Sequence, residues 1–165
     1  YGFEPSETVT AWLGFNDSTV ESGCLRYIPG SHKKTATHEI KPNPNNLATL
    51  GQNVIGVPEE KAVNAELKAG QVVFHHESVV HSSGPNTANH PRIGFSIHYV
   101  APHVKETRFE GATAMLLRGE DNYGYWGADP IPRYDLDPDC INAMLDTRKK
   151  FMSITEEKIE AGGRS

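Results

Sequence analysis

The histidines are the first residues in this sequence that suggest chemistry. The chain has eight of them in 165 residues. Five fall within one short stretch, namely His75, His76, His81, His90 and His98. Neutral imidazole is the commonest protein ligand for iron, zinc and copper. The cluster therefore indicates a metal role for at least one of the five, against the plain alternative that each is a polar surface or packing residue.

A longer motif surrounds one of these histidines. His81 opens the sequence HSSGPN (residues 81–86), and PRIGF (91–95) follows, so that Arg92 lies eleven residues after His81. Upstream, Trp12 lies within VTAWLGF, and GCL (23–25) precedes PGSH (29–32). These separated motifs, in this order, resemble the phytanoyl-CoA dioxygenase family, with Ser22 where the family has an asparagine. The resemblance covers most of residues 1–101 and continues loosely through residues 118–121.

The resemblance implies a double-stranded β-helix (a jelly-roll, cupin-like fold) that uses Fe(II) and 2-oxoglutarate. His81 matches the family's distal iron ligand, and Arg92 matches the arginine that binds the far carboxylate of 2-oxoglutarate. Ser83 matches a family residue whose hydroxyl binds the same carboxylate, and Trp12 matches a residue in the wall of the co-substrate pocket. The family's other two ligands come from an H-x-D motif, which this sequence lacks. We expect that motif upstream of Tyr1, in an N-terminal part of the fold that is missing here.

Elementary chemistry explains these residue types. A two-histidine, one-carboxylate face leaves three positions on iron for oxoglutarate and dioxygen. Arginine holds a carboxylate better than lysine, because its planar fork makes two parallel charge-assisted bonds. The expected reaction is hydroxylation of a small-molecule metabolite or acyl substrate, with decarboxylation of 2-oxoglutarate to succinate and CO2. Because one histidine holds iron(II) weakly, we expect residues 1–165 alone to have little or no activity.

Three alternatives remain open. The absent H-x-D acid separates hydroxylases from the halogenases of the same fold, so a halogenase is possible. A non-catalytic cupin-like binding domain would share the fold without needing Arg92 near His81. A zinc or copper hydrolase would require at least three of four neighbouring side chains to converge, namely His75, His76, Glu77 and His81.

Each candidate residue also has a simpler interpretation. Arg92 could pair with a surface acid, and Trp12 could be an ordinary core residue. Ser83 and Asn86 are common in turns. His75 and His76 alternate faces in a strand, so we expect them to pack or to support a ligand rather than bind metal. His98 shares the parity of Arg92 and is expected to line the cavity.

The elements that must position these residues are mainly strands. Five segments rich in β-branched and aromatic residues, separated by Gly, Pro and Asn, are typical of strands: residues 8–15, 24–28, 63–67, 71–76 and 92–100. Residues 32–60 are predicted to form a long surface excursion that includes KPNPNN (41–46). Near the end, Asp137-Pro138 predicts the start of a helix. Residues 153–156 match a capping box, which would start a second helix, and Gly162-Gly163 would end it. These signals predict one or two short C-terminal helices.

Composition limits the partners. The formal net charge is −5, and no basic run is present to bind a nucleic acid. No apolar stretch has the length of a membrane span. Cys24 and Cys140 are isolated thiols, which favours a reducing, cytoplasmic location. We therefore expect a small-molecule substrate and dioxygen as partners, with the oligomeric state open. The expected organisation is a single partial domain, with core strands over residues 1–101 and a loop and helical extension over 102–165.

Overall fold

The protein is mainly β. The computed structural model describes residues 2–40 and 52–162. Within them lie twelve strands: β1 Phe3–Glu4, β2 Thr8–Gly14, β3 Leu25–Tyr27, β4 His38–Ile40, β5 Gln52–Val54, β6 Val63–Ala65, β7 Val72–His76, β8 His81–Ser83, β9 Gly94–Val100, β10 Lys105–Glu106, β11 Thr113–Ala114 and β12 Gly127–Ala128. Two short 3-10 helices, Ser31–Lys33 and Glu59–Lys61, and one α-helix, α1 (Pro138–Gly162), complete the described elements.

The chain divides into two compact units. One unit comprises Ser6–Glu39 and Asn53–Val100. The other comprises the described residues of Tyr1–Pro5, Ile40–Gln52 and Ala101–Ser165. The five predicted strand segments all correspond to strands of the first unit, with boundaries that differ by no more than two residues at either end.

The first unit contains a three-stranded antiparallel sheet in the order β7-β2-β9. Trp12 on β2 is opposite Val73 on one side and Ser96 on the other. Because neighbours along a strand alternate in direction, polar groups and Trp12 share one face of this sheet: Thr10, Trp12, His75, Ser96 and His98. The opposite face is apolar apart from His76 and is largely exposed, with Phe74 at 66% and Phe95 at 54% of their full accessibility.

A second antiparallel sheet, in the order β6-β3-β8, carries His81. Tyr27 is directly opposite His81, and Leu25 is opposite Ser83. The intervening residue Arg26 points to the other face, where its Nε donates a hydrogen bond of 2.8 Å to the Ser82 hydroxyl. This alternation places Tyr27, His81 and Ser83 on a common face.

The second unit is organised around short strand pairs and the helix. β1 pairs with β10 in antiparallel fashion, and β11 pairs with β12 in parallel. Val104 is fully buried, and its carbonyl accepts a 2.7 Å hydrogen bond from the indole N–H of Trp126. No helix among the described residues is long and apolar enough to cross a membrane.

The helix begins where the sequence predicts and continues where a break was expected. The carboxylate of Asp137 accepts a 3.1 Å bond from the Asp139 N–H, and Pro138 occupies the first helical position. Of the one or two short helices predicted, the described residues contain one, α1, which runs for 25 residues without the expected break and is therefore longer than predicted. The Ser153 hydroxyl donates to the Lys150 carbonyl, 2.8 Å away inside the same helix, and so does not act as a cap.

The predicted surface excursion is only partly irregular. Residues 32–60 include β4, β5 and most of both 3-10 helices. KPNPNN (41–46), predicted to be part of that excursion, lies outside the described residues, as does Gly163 of the predicted helix stop.

Candidate active site

The structure brings together the three side chains predicted to bind the co-substrate. Arg92 lies two residues before β9, and its Nη2 donates a 3.2 Å hydrogen bond to the Ser83 hydroxyl. Its guanidinium carbon lies 5.0 Å from the centre of the Trp12 ring. At that distance the cation is attracted to the ring face. We call Trp12, Ser83 and Arg92 the arginine cluster.

Gly94 makes room for this arrangement. The Trp12 ring lies over Gly94, so that a Cβ atom built on the glycine would fall 2.1 Å from Trp12 Cζ2. Real Cβ atoms do not approach other atoms so closely, and the ring would have to move. The absence of a side chain at Gly94 therefore allows the Trp12 ring to pack directly against the backbone of β9.

His81 is held in one tautomer by the main chain. Its Nδ1 lies 2.8 Å from the carbonyl oxygen of Val79. Because a carbonyl can only accept, Nδ1 carries a proton, and in the neutral ring the lone pair is then on Nε2. A backbone carbonyl on one ring nitrogen is the usual partner of a histidine that binds metal through the other. His81, predicted as a metal ligand, therefore has the protonation pattern that a ligand needs.

Two further rings pack against His81, and sequence reasoning missed one of them. Tyr27 Oη lies 3.0 Å from His75 Nδ1. The ring centroids are 5.1 Å apart for Tyr27 and His75, 5.9 Å for Tyr27 and His81, and 5.0 Å for His75 and His81. We call these the three-ring cluster. The alternation of side chains along β3 could have indicated Tyr27, because a charged Arg26 on the exposed face places the next residue, Tyr27, on the other face.

Both partners in the hydrogen bond are neutral near pH 7. Burial, reinforced by nearby His81 and His98, lowers the pKa of His75 to about 4. Burial also raises the pKa of Tyr27 to about 12, against the opposing effect of the Arg92 guanidinium. His81 of the three-ring cluster and Ser83 of the arginine cluster are on the same face of β8. The three-ring cluster and the arginine cluster are neighbours in this unit.

His98 extends the polar face of the first sheet. Its Nδ1 lies 3.0 Å from the Thr10 hydroxyl. In the register of the sheet His98 is opposite Thr10, and both residues are on the same face as Trp12. This is the face that its parity with Arg92 predicted.

The residues required by the hydrolase alternative do not converge. Glu77 is buried and accepts hydrogen bonds from the hydroxyls of Ser6 and Thr8, the latter at 2.8 Å. His76 faces away from His75 and lies beside His32, with ring centroids 5.5 Å apart. Among the described residues, no three His, Cys, Asp or Glu side chains are placed to hold a metal ion. The zinc or copper hydrolase interpretation is therefore wrong.

The donor set fits one position of a metal centre, and the arginine cluster fits a carboxylate. His81 offers an Nε2 lone pair, while the described part of the chain supplies no complete ligand set. Residues 1–94 match the family model of phytanoyl-CoA dioxygenase. The chain belongs to the phytanoyl-CoA dioxygenase family.

Curated members of the family show the same relationship. Over 102 residues the chain is 36% identical to "Phytanoyl-CoA dioxygenase domain-containing protein 1 homolog" of Dictyostelium discoideum, covering 58% of this chain and 36% of that protein. Over 97 residues it is 31% identical to "Phytanoyl-CoA dioxygenase" of Arabidopsis thaliana, covering 59% and 34%. The chain thus spans about a third of the length of these relatives.

Solved structures confirm the cupin-like β fold predicted for the family. The apo form of the non-heme monooxygenase ThoJ is 26% identical, with a TM-score of 0.79 over 97% of this chain and 58% of that chain. EvdO2 from Micromonospora carbonacea var. aurantiaca, complexed with 2-oxoglutarate, is 30% identical, with a TM-score of 0.50 over 56% and 37%. One of these two neighbours is thus a non-heme monooxygenase, and the other was solved with 2-oxoglutarate bound.

Proposed function

We propose that the protein carrying this chain is an Fe(II)/2-oxoglutarate-dependent dioxygenase that hydroxylates a small molecule. In this proposal 2-oxoglutarate is decarboxylated to succinate and CO2 as the substrate is hydroxylated. The observation that carries it is the arginine cluster beside His81. A half-buried arginine that bonds a serine hydroxyl and lies over a tryptophan face has the form of a carboxylate anchor.

The chain's own residues would bind and orient the co-substrate. Arg92 and Ser83 would hold the carboxylate of 2-oxoglutarate that lies far from the metal. Trp12 would pack against the guanidinium and keep water away from it, which strengthens the ion pair by lowering the local dielectric constant. Such a fixed end restricts the diacid to one orientation, which is how positioning residues contribute to rate.

His81 would be one ligand of the iron, through Nε2. Bound iron(II) would supply the activation of dioxygen that oxidative decarboxylation needs. The role of His81 is to present a lone pair at a fixed ring orientation, with its own proton kept on Nδ1. We propose that the remaining ligands come from an H-x-D motif outside residues 1–165.

The net charge favours a substrate without phosphate groups. A CoA thioester carries several phosphate charges and would favour basic residues, whereas this chain has a net charge of −5. We therefore propose a free small metabolite as the substrate. Hydroxylation is preferred over halogenation because it is the commoner chemistry of the class. Product analysis in the presence of chloride would separate the two.

The remaining expectations form part of the same proposal. Residues 1–101 would form the jelly-roll core and residues 102–165 an extension. The thiols of Cys24 and Cys140 are not joined in a disulfide, which supports a cytoplasmic location. Neither a nucleic acid nor a membrane is proposed as a partner.

The deciding experiment is iron-dependent turnover of 2-oxoglutarate to succinate by the full polypeptide encoded by the reading frame that contains residues 1–165. His81→Ala should abolish turnover, because the metal loses a ligand. His90→Ala is the matched control, since His90 is exposed and outside both clusters. Residues 1–165 alone should turn over little oxoglutarate. Wild-type activity in His81→Ala, or robust turnover by residues 1–165, would contradict the proposed metal centre.

A further inference from the structure

Two neighbouring histidines of the three-ring cluster have different partners on the same ring atom. Nδ1 of His81 donates to the Val79 carbonyl, which leaves the lone pair on Nε2. Nδ1 of His75 faces the hydroxyl of Tyr27 at 3.0 Å. The chemistry of that second bond decides which nitrogen of His75 carries the proton.

The phenol is the donor in the Tyr27–His75 bond. A phenol O–H is a much stronger acid than the N–H of neutral imidazole, and an imidazole nitrogen accepts better than a phenol oxygen. His75 Nδ1 therefore accepts, and the single proton of the neutral ring is on Nε2. The two histidines are in opposite tautomers: His81 has a lone pair at Nε2, and His75 has an N–H there.

Distance alone would not keep His75 away from a metal bound by His81. Two imidazoles that bind one metal through Nε2 at about 2.1 Å, at ordinary ligand angles, have ring centroids roughly 4.5–5.3 Å apart. The centroids of His75 and His81 are 5.0 Å apart. What separates their roles is the tautomer, since a protonated Nε2 has no lone pair to give.

We propose that the Tyr27 hydroxyl fixes His75 as a hydrogen-bond donor at Nε2 and thereby prevents it from becoming an additional metal ligand beside His81. This rests on the proposed function, because it takes His81 to be a metal ligand. The two-histidine, one-carboxylate site needs three open positions for oxoglutarate and dioxygen. An added imidazole would occupy one of them. Tyr27 is therefore a positioning residue that acts through His75.

The register of the sheet explains why Tyr27 can do this. Tyr27 on β3 is directly opposite His81 on β8, so its ring lies beside the ligand histidine. Its hydroxyl reaches His75, which belongs to β7 of the other sheet. One side chain thus contacts both histidines and bridges the two sheets that carry them.

The test begins with the metal-free full polypeptide. Long-range ¹H–¹⁵N imidazole spectra of ¹⁵N-histidine-labelled protein report which ring nitrogen carries the proton, and His75→Gln assigns the signal. The expected result is a proton on Nε2 of His75 and on Nδ1 of His81. In Tyr27→Phe, which removes a single oxygen atom, the Nε2-protonated form of His75 should no longer dominate. A wild-type His75 protonated on Nδ1 would overturn the proposal without any variant.

A second measurement uses Co(II) as the probe, followed by its visible absorption. Tyr27→Phe should bind Co(II) about tenfold more tightly than the wild type, and the Co(II) protein should bind 2-oxoglutarate about tenfold more weakly, which is the scale of changes around a metal ligand. A merely structural role for Tyr27 would weaken both. Tyr99→Phe is the matched control, because Tyr99 is on the apolar face of the β7-β2-β9 sheet.

The outcomes separate this proposal from the one it rests on. Unchanged tautomer and unchanged Co(II) affinity in Tyr27→Phe would refute the role of Tyr27. If His81→Ala bound Co(II) like the wild type, the proposed metal role of His81 would fail, whatever the tautomer of His75. Double substitution Tyr27→Phe/His75→Gln should restore wild-type Co(II) affinity, since the additional ligand is then gone.

Discussion

Replacing Arg92 by lysine tests the assignment of the co-substrate anchor. Lysine keeps the positive charge but loses the planar fork that holds a carboxylate with two parallel bonds. It also loses the flat contact with Trp12, where the guanidinium carbon lies 5.0 Å from the ring centre. The variant therefore separates charge from geometry at one position.

The expected loss can be worked out from these contacts. One hydrogen bond to a charged group contributes about 1.5–3 kcal/mol, and a partly exposed cation–π contact about 0.5–1 kcal/mol. Together they amount to about 2–4 kcal/mol, which corresponds to roughly a 30- to 1,000-fold weaker binding of 2-oxoglutarate. Affinity for the substrate should change little, because the substrate does not share this carboxylate site.

The assay is calorimetric titration of 2-oxoglutarate into the full polypeptide loaded with Mn(II), beside the Michaelis constants for oxoglutarate and substrate. Arg26→Lys is the matched control. Arg26 is on β3, which pairs with the strand that carries Ser83, but its side chain is on the opposite face of that sheet. There its Nη2 lies 2.9 Å from Oε2 of Glu59. Its substitution should leave oxoglutarate affinity unchanged. An Arg92→Lys variant within about threefold of wild-type oxoglutarate affinity, or equally impaired for both ligands, would refute the assignment.

Three other predictions concern the surroundings of the site. Gly94→Ala should destabilise the protein by about 1–3 kcal/mol, because its Cβ would overlap the Trp12 ring; denaturant unfolding measures this, with Gly84→Ala, which meets nothing within 4 Å, as control. The metal-free protein should lose stability as the pH falls from about 6.5, the ordinary pKa of histidine, to about 4, the pKa of His75 in the folded protein. In this range the unfolded state takes up the proton before the folded state does. Solvent screening of the half-buried ring limits that loss to about 1–2 kcal/mol, and His75→Gln should flatten the slope in urea titrations. Glu77→Gln should cost about 1–3 kcal/mol, because two hydroxyl groups donate to this buried carboxylate, yet leave Co(II) affinity unchanged; a loss of Co(II) binding would revive Glu77 as a ligand.

Local sequence signals were sufficient for the longer strands and for the helix start. Alternation in residues 92–100 gave the faces of β9 correctly, because the period of two is a property of the strand itself. Asp137-Pro138 gave the start of α1, because capping is a contact between neighbours in sequence. The expected break at Ser153 was wrong, since a capping-box pattern inside a helix does not outweigh the backbone bonds on both sides of it.

Features that depend on pairing between distant segments were not readable. β8 (His81–Ser83) consists of residues that do not favour strands, and it is a strand because it pairs with β3. For Tyr27, alternation in β3 could give the face of its side chain, but its place opposite His81 follows only from that register. The proximity of Ser83 to Arg92 was expected only from the family resemblance, whereas the structure supplies the contact itself.

The bond from His81 to the Val79 carbonyl has a consequence for how this site tolerates mutation. The partner is a main-chain atom, so no side-chain replacement at position 79 removes it. Its position depends instead on the turn between β7 and β8, where the Val79 N–H bonds the His76 carbonyl at 3.1 Å and the Val80 N–H bonds the Ser31 hydroxyl at 2.8 Å. Substitutions at position 79 should therefore leave the proton on Nδ1 of His81. Insertion or deletion of a single residue in that turn would move the carbonyl and disturb the hydrogen bond. In engineering such a site, loop length between the two strands is the variable to hold constant.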